Sequence, residues 1–253
     1  MTLDARRAQL WQAMGLGPIY RLRRESIRGD AASDAPSAAD SRSAQIARLA
    51  WDELPGEVAA CRACSLCETR KQTVFGVGNA NAQWMLIGEA PGAEEDARGE
   101  PFVGQAGRLL DNMLASVGLS RAGHTPASVY IANVLKCRPP GNRNPQPDEV
   151  AKCTPFLLRQ IELIAPALIV VMGRFAAQSL LGTDASIASL RGKLHRISVA
   201  GRQIPVVVTY HPAYLLRNLI DKGKSWSDLC LARDTLASVS LRRSEQPNQI
   251  AVD

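Results

Sequence analysis

The chain has 253 residues, of which 46% are hydrophobic, and this allows one large domain of about 190 residues with an extension rather than two equal domains. Its formal net charge of +6 and its pI of about 9.2 favour polyanionic partners such as nucleic acid, without proving one. The sequence has no run of 18 or more apolar residues and no apolar signal core near its beginning, so we expect no membrane insertion, no secretion and a cytoplasmic location.

The beginning of the chain differs in composition from the rest. Near-helical spacing of apolar residues predicts a helix at Leu3–Met14, and an arginine-rich stretch follows it, so we assign residues 1–29 to a basic helical extension. That stretch either touches DNA or a partner, or is a solvated surface. Residues 30–43 are nearly all Ala, Ser and Asp, which predicts a disordered linker. The main domain then covers 44–240, and a loose polar tail covers 241–253.

Continuous apolar runs alternate with amphipathic stretches through the main domain. The apolar runs are typical of strands buried on both faces of a parallel sheet, and the amphipathic stretches are typical of helices that lie on such a sheet. We predict strands at 84–88, 129–135, 167–172 and 204–209, and helices at 106–117, 147–164, 174–181 and 226–239. This order indicates an α/β protein, a three-layer α/β/α sandwich around a central parallel four-stranded sheet.

The stretch 83–107 contains the first candidate site. Its strand delivers Glu89 to the carboxyl end of the sheet, where ligands bind in open α/β folds. The small residues of loop 90–92 allow a ligand to approach the backbone, and Phe102 offers a flat face for stacking. The alternative is an acidic surface turn after a core strand, with Phe102 packed into the core.

The cysteines are the second informative feature. In a chain expected inside the cell, six cysteines indicate metal binding or catalysis rather than structural disulfides. Three stand as C-x2-C-x2-C, two lie far downstream with 15 residues between them, and one lies in an apolar helical stretch. In chain order they are Cys61, Cys64, Cys67, Cys137, Cys153 and Cys230.

Their spacing leaves several metal sites open. A ferredoxin-like site would use the first three cysteines with one distant partner, whereas a split site would use one C-x2-C pair together with Cys137 and Cys153. Structural zinc suits a set of four cysteines equally well. We interpret Cys230 as an inert core residue.

Five motifs occur together between about Val58 and Leu236. They are GEAPG at 88–92, PFVGQAG at 101–107, N-x3-CRPP-x-NR at 133–143, Cys153, and HPAYLLRN at 211–218. In this order they resemble the family 4 uracil-DNA glycosylases, the iron-sulfur branch of that superfamily. The resemblance implies an enzyme that hydrolyses uracil from DNA and leaves an abasic site.

The resemblance also implies a cofactor. In that family a [4Fe-4S] cluster is bound by a C-x2-C pair and two later cysteines, which match Cys61, Cys64, Cys137 and Cys153. This implies the split site. Cys67 falls outside the pattern, so we do not expect it to be a ligand.

The family's activity assigns a uracil pocket. A glycosylase flips the nucleotide out of the duplex and holds the base by stacking and by hydrogen bonds to its edge. We expect Phe102 to supply the stacking face, with Gly88 and Ala90 beside it. The amide of Asn133 matches the O4 acceptor and the N3-H donor of uracil, a pattern that cytosine inverts. The alternative for Asn133 is a structural amide that caps a turn.

Cleavage builds negative charge on the leaving uracil and positive charge on the sugar, so donors near uracil O2 should carry much of the catalysis. His211 fits this role. Glu89 or Glu95 is expected to orient water or to offset the sugar's charge, and the alternative for Glu95 is exclusion of the thymine methyl group. Family 1 relatives carry a water-activating aspartate where this chain has Ala90, so the base stays unassigned.

Residues around the same motifs are expected to contact DNA. We predict phosphate contacts for Arg138, Arg143 and Arg217. Tyr214, Leu215 and Leu216 form an apolar group that should enter the space left by the flipped nucleotide. The alternative is that both leucines pack under the final helix.

A different class of protein also fits these features. It is an iron-sulfur or zinc protein that binds nucleic acid or a polymerase without catalysis. For the glycosylase we expect a monomer whose partner is uracil-containing DNA, with no membrane association. Iron content and uracil excision discriminate between the two.

Overall fold

The computed structural model describes residues 38–245, with side chains for residues 41–239. The predicted helix Leu3–Met14, the rest of the basic extension and most of the predicted linker lie outside the described residues. The end of that linker is helical, because α1 spans Ala38–Ile46. Alanine favours helix, and Ile46 is buried in a small apolar cluster, which anchors the helix to the domain.

Three helices precede the first strand of the described chain, and strands and helices are interspersed after it. After α1 they are α2 (Leu54–Ala60), α3 (Leu66–Thr69), β1 (Val77–Gly78), β2 (Trp84–Gly88), α4 (Ala93–Arg98), α5 (Gln105–Ala115), β3 (Val129–Asn133), α6 (Pro147–Ile164), β4 (Leu168–Met172), α7 (Arg174–Leu181), α8 (Ile187–Leu190), β5 (Leu194–Val199), β6 (Arg202–Thr209), α9 (Pro212–Leu215) and α10 (Lys222–Glu245). The predicted bounds of α6 and α7 are confirmed. The last helix is longer than predicted and passes the expected domain boundary at residue 240.

The sheet has six strands in the order β1-β3-β2-β4-β6-β5. Strands β3, β2, β4 and β6 are parallel, whereas β1 and β5 are antiparallel strands at the two edges. The α/β class is therefore confirmed, but the expected four-stranded parallel sheet is wrong in strand number. The edge strands escaped prediction because β1 has two residues and β5 alternates between exposed and partly buried side chains.

Apolar clusters lie on both faces of the sheet. Met85 and Ile87 of β2 pack with residues of α6 and α7, whereas Trp84 and Leu86 pack with residues of α5 and α10. This alternation follows from the two-residue period of a strand. No helix in the described part of the chain is long and apolar enough to span a membrane.

The parallel strands bring their carboxyl ends to one edge of the sheet. Gly88, which ends β2, pairs with Asn133, which ends β3. The backbone N-H of Gly173, just after β4, donates to the carbonyl of Thr209 at the end of β6 at 2.9 Å. The loops after these four strands therefore meet, and they carry most of the predicted site residues.

Candidate functional site

A cavity of about 460 Å³ opens at this edge of the sheet. The loops after β2, β3 and β6 form much of its wall. Eight of the predicted site residues line it, namely Glu89, Ala90, Glu95, Phe102, Asn133, Arg143, His211 and Arg217. Motif reading assigned no role to Pro139 and Asn142, which also line the cavity, and it placed Tyr214, a further lining residue, in the apolar group rather than at the pocket. The polar groups that could have indicated a place in the pocket were the hydroxyl of Tyr214 and the amide of Asn142.

The amide of Asn133 is the best candidate for reading a ligand. Its side chain is buried, and its Oδ1 atom has no hydrogen-bond partner in the described part of the chain. A Cβ atom at Gly88 would lie 2.4 Å from that Oδ1 and 2.7 Å from the Phe102 ring, so only glycine fits beneath both side chains. Buried polar atoms are normally paired, so this oxygen is available to accept an N-H donor from a ligand.

Phe102 stacks on His211, with ring centroids 5.4 Å apart and an interplanar angle of 29°. Its backbone has a φ of 55°, a left-handed conformation that is unfavourable for a residue with a Cβ. Arg121 helps to hold it by donating from Nη2 to the Phe102 carbonyl at 2.9 Å. Phe102 also belongs to the apolar cluster on the α5 face, so it both packs into the core and lines the cavity.

His211 is placed as a neutral hydrogen-bond donor. Its Nδ1 accepts from the backbone N-H of Ala213 at 3.1 Å, so the proton of the neutral ring lies on Nε2. Burial lowers the pKa of His211 to about 4, opposed by the charge of Glu95 and assisted by that of Arg217. A Cβ at Gly173 would lie 3.1 Å from the Cβ of His211, so glycine there permits the close approach.

The two candidate carboxylates have different surroundings. Both oxygens of Glu95 accept backbone N-H groups, from Gly92 at 3.1 Å and from Val103 at 3.0 Å. Glu95 therefore connects the loop that contains Gly92 to the loop that contains Val103. Because both of its oxygens accept these hydrogen bonds, it is not free to orient water as predicted. No described residue hydrogen-bonds the carboxylate of Glu89, whose pKa is raised by burial and lowered to a smaller extent by the charge of Arg174.

The three predicted phosphate contacts are not equivalent. Arg217 is exposed beside the cavity, and Arg138 lies close by, donating from Nε to Oδ1 of Asn142 at 2.7 Å. Arg143 instead forms a bidentate ion pair with Glu149. Its Nη1 lies 2.9 Å from Oε2 and its Nη2 lies 2.5 Å from Oε1 of that carboxylate. Because the Glu149 carboxylate is buried and neutralises that charge, Arg143 is less suited to a phosphate than predicted.

The two leucines of the last motif point in different directions. Leu215 is 1% exposed and lines an apolar groove with residues of α5 and α10, so its predicted projection toward DNA is wrong. The short helix α9 turns it inward. Leu216 is 38% exposed, and the turn that follows exposes Leu219 and Ile220 as well, two apolar residues to which the motif had drawn no attention.

A second cavity is lined mainly by cysteines and their neighbours. It is lined by Cys61, Cys64, Cys67, Cys137 and Cys153. The four expected cluster ligands are thus close together, and Cys67 lies with them. Within the described residues, no group of three or more His, Cys, Asp or Glu side chains is arranged to hold a single metal ion. Burial raises the pKa of Cys64 and Cys137, and that of Cys153 to about 12.

N-H groups point at three of the cysteine sulfurs. Such donors stabilise the thiolate form that metal ligands need. The pairs are Arg70 Nη1 to Cys137 Sγ at 3.0 Å, Lys136 backbone N to Cys153 Sγ at 3.3 Å, and Arg42 Nη2 to Cys61 Sγ at 3.4 Å. The donors come from three separate segments of the chain, and those to Cys137 and Cys153 partly oppose the burial that raises the pKa of each thiol.

The two cavities share a wall. Ala90 lines the first cavity and also packs against the apolar cluster that contains Cys137. The chain after Cys137 continues through Pro139 and Asn142, which line the first cavity too. The cysteine cavity therefore borders the loops that line the first cavity.

The chain is similar to known proteins. Residues 75–232 match the family model described as the uracil DNA glycosylase superfamily. A type-4 uracil-DNA glycosylase of Archaeoglobus fulgidus is 47% identical over 169 residues, which cover 65% of this chain and 82% of that protein. Type-4 uracil-DNA glycosylases of Saccharolobus solfataricus and Thermotoga maritima are 44% and 46% identical, over 66% and 62% of this chain and 77% and 79% of their own lengths. The chain therefore belongs to the uracil-DNA glycosylase superfamily and, within it, to the type-4 uracil-DNA glycosylases.

Proposed function

We propose that the protein hydrolyses the N-glycosidic bond of uracil in DNA and leaves an abasic site. The unpaired Oδ1 of the buried Asn133 carries this proposal, because the N3-H of uracil is the donor that it lacks. The amide nitrogen then donates to uracil O4. Cytosine presents the opposite pattern and would leave buried groups unpaired, so the pocket should discriminate between the two bases.

The cavity suits a base that has left the duplex. A flipped uracil would stack against Phe102, and the small residues Gly88 and Ala90 would allow it close to the backbone. Arg138 and Arg217 would contact phosphates on either side, while the exposed Leu216 would fill the vacated space. The enzyme would act as a monomer in the cytoplasm. The helices on both faces of its sheet would make it a three-layer α/β/α sandwich.

Catalysis in this proposal rests on two side chains. His211 is neutral above pH 5 because its pKa is about 4, so its Nε2-H can donate to uracil O2 as negative charge develops there. Glu89, whose carboxylate no described residue hydrogen-bonds, would orient the water and offset the positive charge on the sugar. Glu95 would hold the loops that shape the pocket.

We further propose that Cys61, Cys64, Cys137 and Cys153 hold a [4Fe-4S] cluster. The four thiols line one cavity, and N-H donors face three of them, which suits a set of thiolate ligands. When bound, the cluster would cross-link the turn at Cys61 and the loop after Cys137, without taking part in bond cleavage. Its role is thus structural.

The experiment that tests this function combines two measurements on one preparation. Wild-type protein purified without oxygen is analysed for iron, and its action on a uracil-containing oligonucleotide is followed by alkaline cleavage at abasic sites. We expect four irons per chain and cleavage at uracil, with none at thymine or cytosine in matched oligonucleotides. Iron without excision would instead favour the non-catalytic nucleic-acid-binding protein, and His211→Ala controls for contaminating glycosylase.

Replacing Cys137 or Cys153 by serine should remove iron and soluble protein together, because each variant loses a thiolate that joins two distant segments. Cys67→Ser is the matched control, since Cys67 lines the same cavity but lies outside the family pattern. It should retain the full iron content, measured by absorbance and metal analysis. Complete loss of iron from Cys67→Ser alone would favour a ferredoxin-like ligand set.

Leu216→Ala should slow excision from duplex DNA by about tenfold while changing single-stranded excision little, because only the duplex must be unstacked. Leu215→Ala is the matched variant, because Leu215 is adjacent to Leu216 in the sequence but is buried. It should lower the melting temperature and affect both substrates alike. Single-turnover rates on paired oligonucleotides decide the matter, and equal losses for Leu216→Ala would remove the wedge from the proposal.

A further inference from the structure

Lys136 is a fully buried lysine that stands between the two cavities. Its side chain is 1% exposed, and its Nζ donates to the backbone carbonyl of Asn133 at 2.9 Å and to Oε1 of Gln160 at 2.6 Å. None of the ion pairs among the described residues includes it. Lys136 also lines the cysteine cavity.

A buried ammonium without a carboxylate is strongly unfavourable, since it has lost its hydration and gained no opposite charge. The neighbouring groups that can become anionic are Cys137 and Cys153, and the backbone N-H of Lys136 donates to the Cys153 sulfur at 3.3 Å. Four thiolates around a cluster would supply that negative charge. An anionic group in the cavity would thus balance the charge of the lysine.

The same ammonium also reaches the residue proposed to read uracil. It binds the backbone of Asn133, whose side chain carries the unpaired oxygen. Gln160 secures the other side of the ammonium, because its Nε2 donates to the Tyr130 hydroxyl at 3.2 Å and to the Phe75 carbonyl at 3.0 Å. One buried lysine therefore joins the cysteine cavity to the end of β3.

We propose that Lys136 is a positioning residue that balances the charge of the cluster and holds Asn133 in register for uracil, and thereby couples the cluster to base recognition. This rests on the proposed cofactor and function. Without the cluster the ammonium loses its counter-charge. Without the ammonium the Asn133 carbonyl loses its donor, and the amide loses its fixed position in the pocket.

The test uses the iron-loaded protein with Lys136→Met, which keeps the bulk and removes the charge. We expect the reduction potential of the cluster, measured electrochemically, to become more negative, because a nearby positive charge favours the more negative reduced form. We also expect kcat/KM for a single-stranded uracil substrate to fall about tenfold, as one positioning hydrogen bond is lost. Gln160→Met is the matched control, since it leaves both the charge and the bond to Asn133, and its potential should equal that of the wild type.

Lys136→Gln provides a second variant in case the methionine protein does not fold, because it also removes the charge while keeping an amide donor. Its potential should shift in the same direction. An unchanged potential and an unchanged kcat/KM in an iron-loaded Lys136 variant would overturn the proposal, as would an equal potential shift in Gln160→Met. Absence of iron from the wild-type protein would instead overturn the proposed cofactor, so the two failures are distinguishable.

Discussion

Replacing Glu89 by glutamine is expected to slow single-turnover excision of uracil by about 10² to 10⁴-fold, the usual contribution of a positioned general base. Glutamine keeps the shape of the side chain but can neither take a proton from water nor carry the negative charge that faces the sugar. Glu89 lines the cavity, and no described residue hydrogen-bonds its carboxylate. The change should therefore reduce the rate with little effect on folding.

The pH dependence of the rate separates Glu89 from the other titrating groups. Burial raises the pKa of Glu89 above 4.5, and the active form is the carboxylate, so the wild-type rate should fall as the pH drops through this raised value. His211 does not explain that decline, because its pKa of about 4 keeps it neutral until lower pH. Glu89→Gln should lack the acid limb. A limb that survives in this variant would contradict the assignment.

Glu95→Gln is the matched control for this result. Its carboxylate binds backbone N-H groups of two loops, and an uncharged amide accepts such hydrogen bonds less strongly. We expect a lower melting temperature and a smaller loss of rate, with the acid limb preserved. If Glu95→Gln lost the limb while Glu89→Gln kept it, the catalytic role would belong to Glu95.

Replacing His211 by alanine is expected to slow excision by about 10² to 10³-fold on single-stranded and duplex DNA alike, the typical cost of a lost donor to a developing anion. The neutral ring donates from Nε2, since Nδ1 accepts from Ala213. Because the uracil anion forms in both substrates, the strand context should not change the loss. Single-turnover rates on both substrates measure this.

His195→Ala provides the control for His211→Ala. Its Nε2 lies 2.7 Å from the carbonyl of Leu190, and its side chain does not line the cavity. This variant should keep the wild-type rate on both substrates. A loss confined to duplex DNA in His211→Ala would show that the histidine assists base flipping rather than departure of uracil.

Much of the fold could be predicted because its central strands are buried on both faces. The run Leu168–Met172 is wholly apolar and buried, and α7 ends at Gly182, whose φ of 61° suits a helix end. The edge strand β5 could not be predicted, because its side chains alternate between exposed and partly buried. An edge strand pairs with the sheet on one side only and can form with few apolar residues. Its sequence therefore lacks the apolar run by which the central strands were predicted.

The sequence by itself indicated Glu89, Asn133 and His211 as candidate groups, because Glu89 and His211 come directly after predicted parallel strands and Asn133 lies in another. The expected cysteine set came from the resemblance to the family, because spacing alone left a ferredoxin-like site, a split site and structural zinc open. These conclusions depend on the order of the residues along the chain. In a parallel α/β sheet, residues that come at the ends of successive strands lie at the same edge of the sheet.

Only the tertiary structure decided what those groups can do. Glu95 and Glu89 look alike in sequence, but backbone N-H groups occupy one carboxylate and no described residue hydrogen-bonds the other. Leu215 and Leu216 are identical neighbours, yet one is buried and the other exposed. Lys136 carried no motif signal at all, and its significance comes from complete burial beside the cysteines. Hydrogen-bond saturation and burial arise from long-range packing, so local sequence does not encode them in readable form.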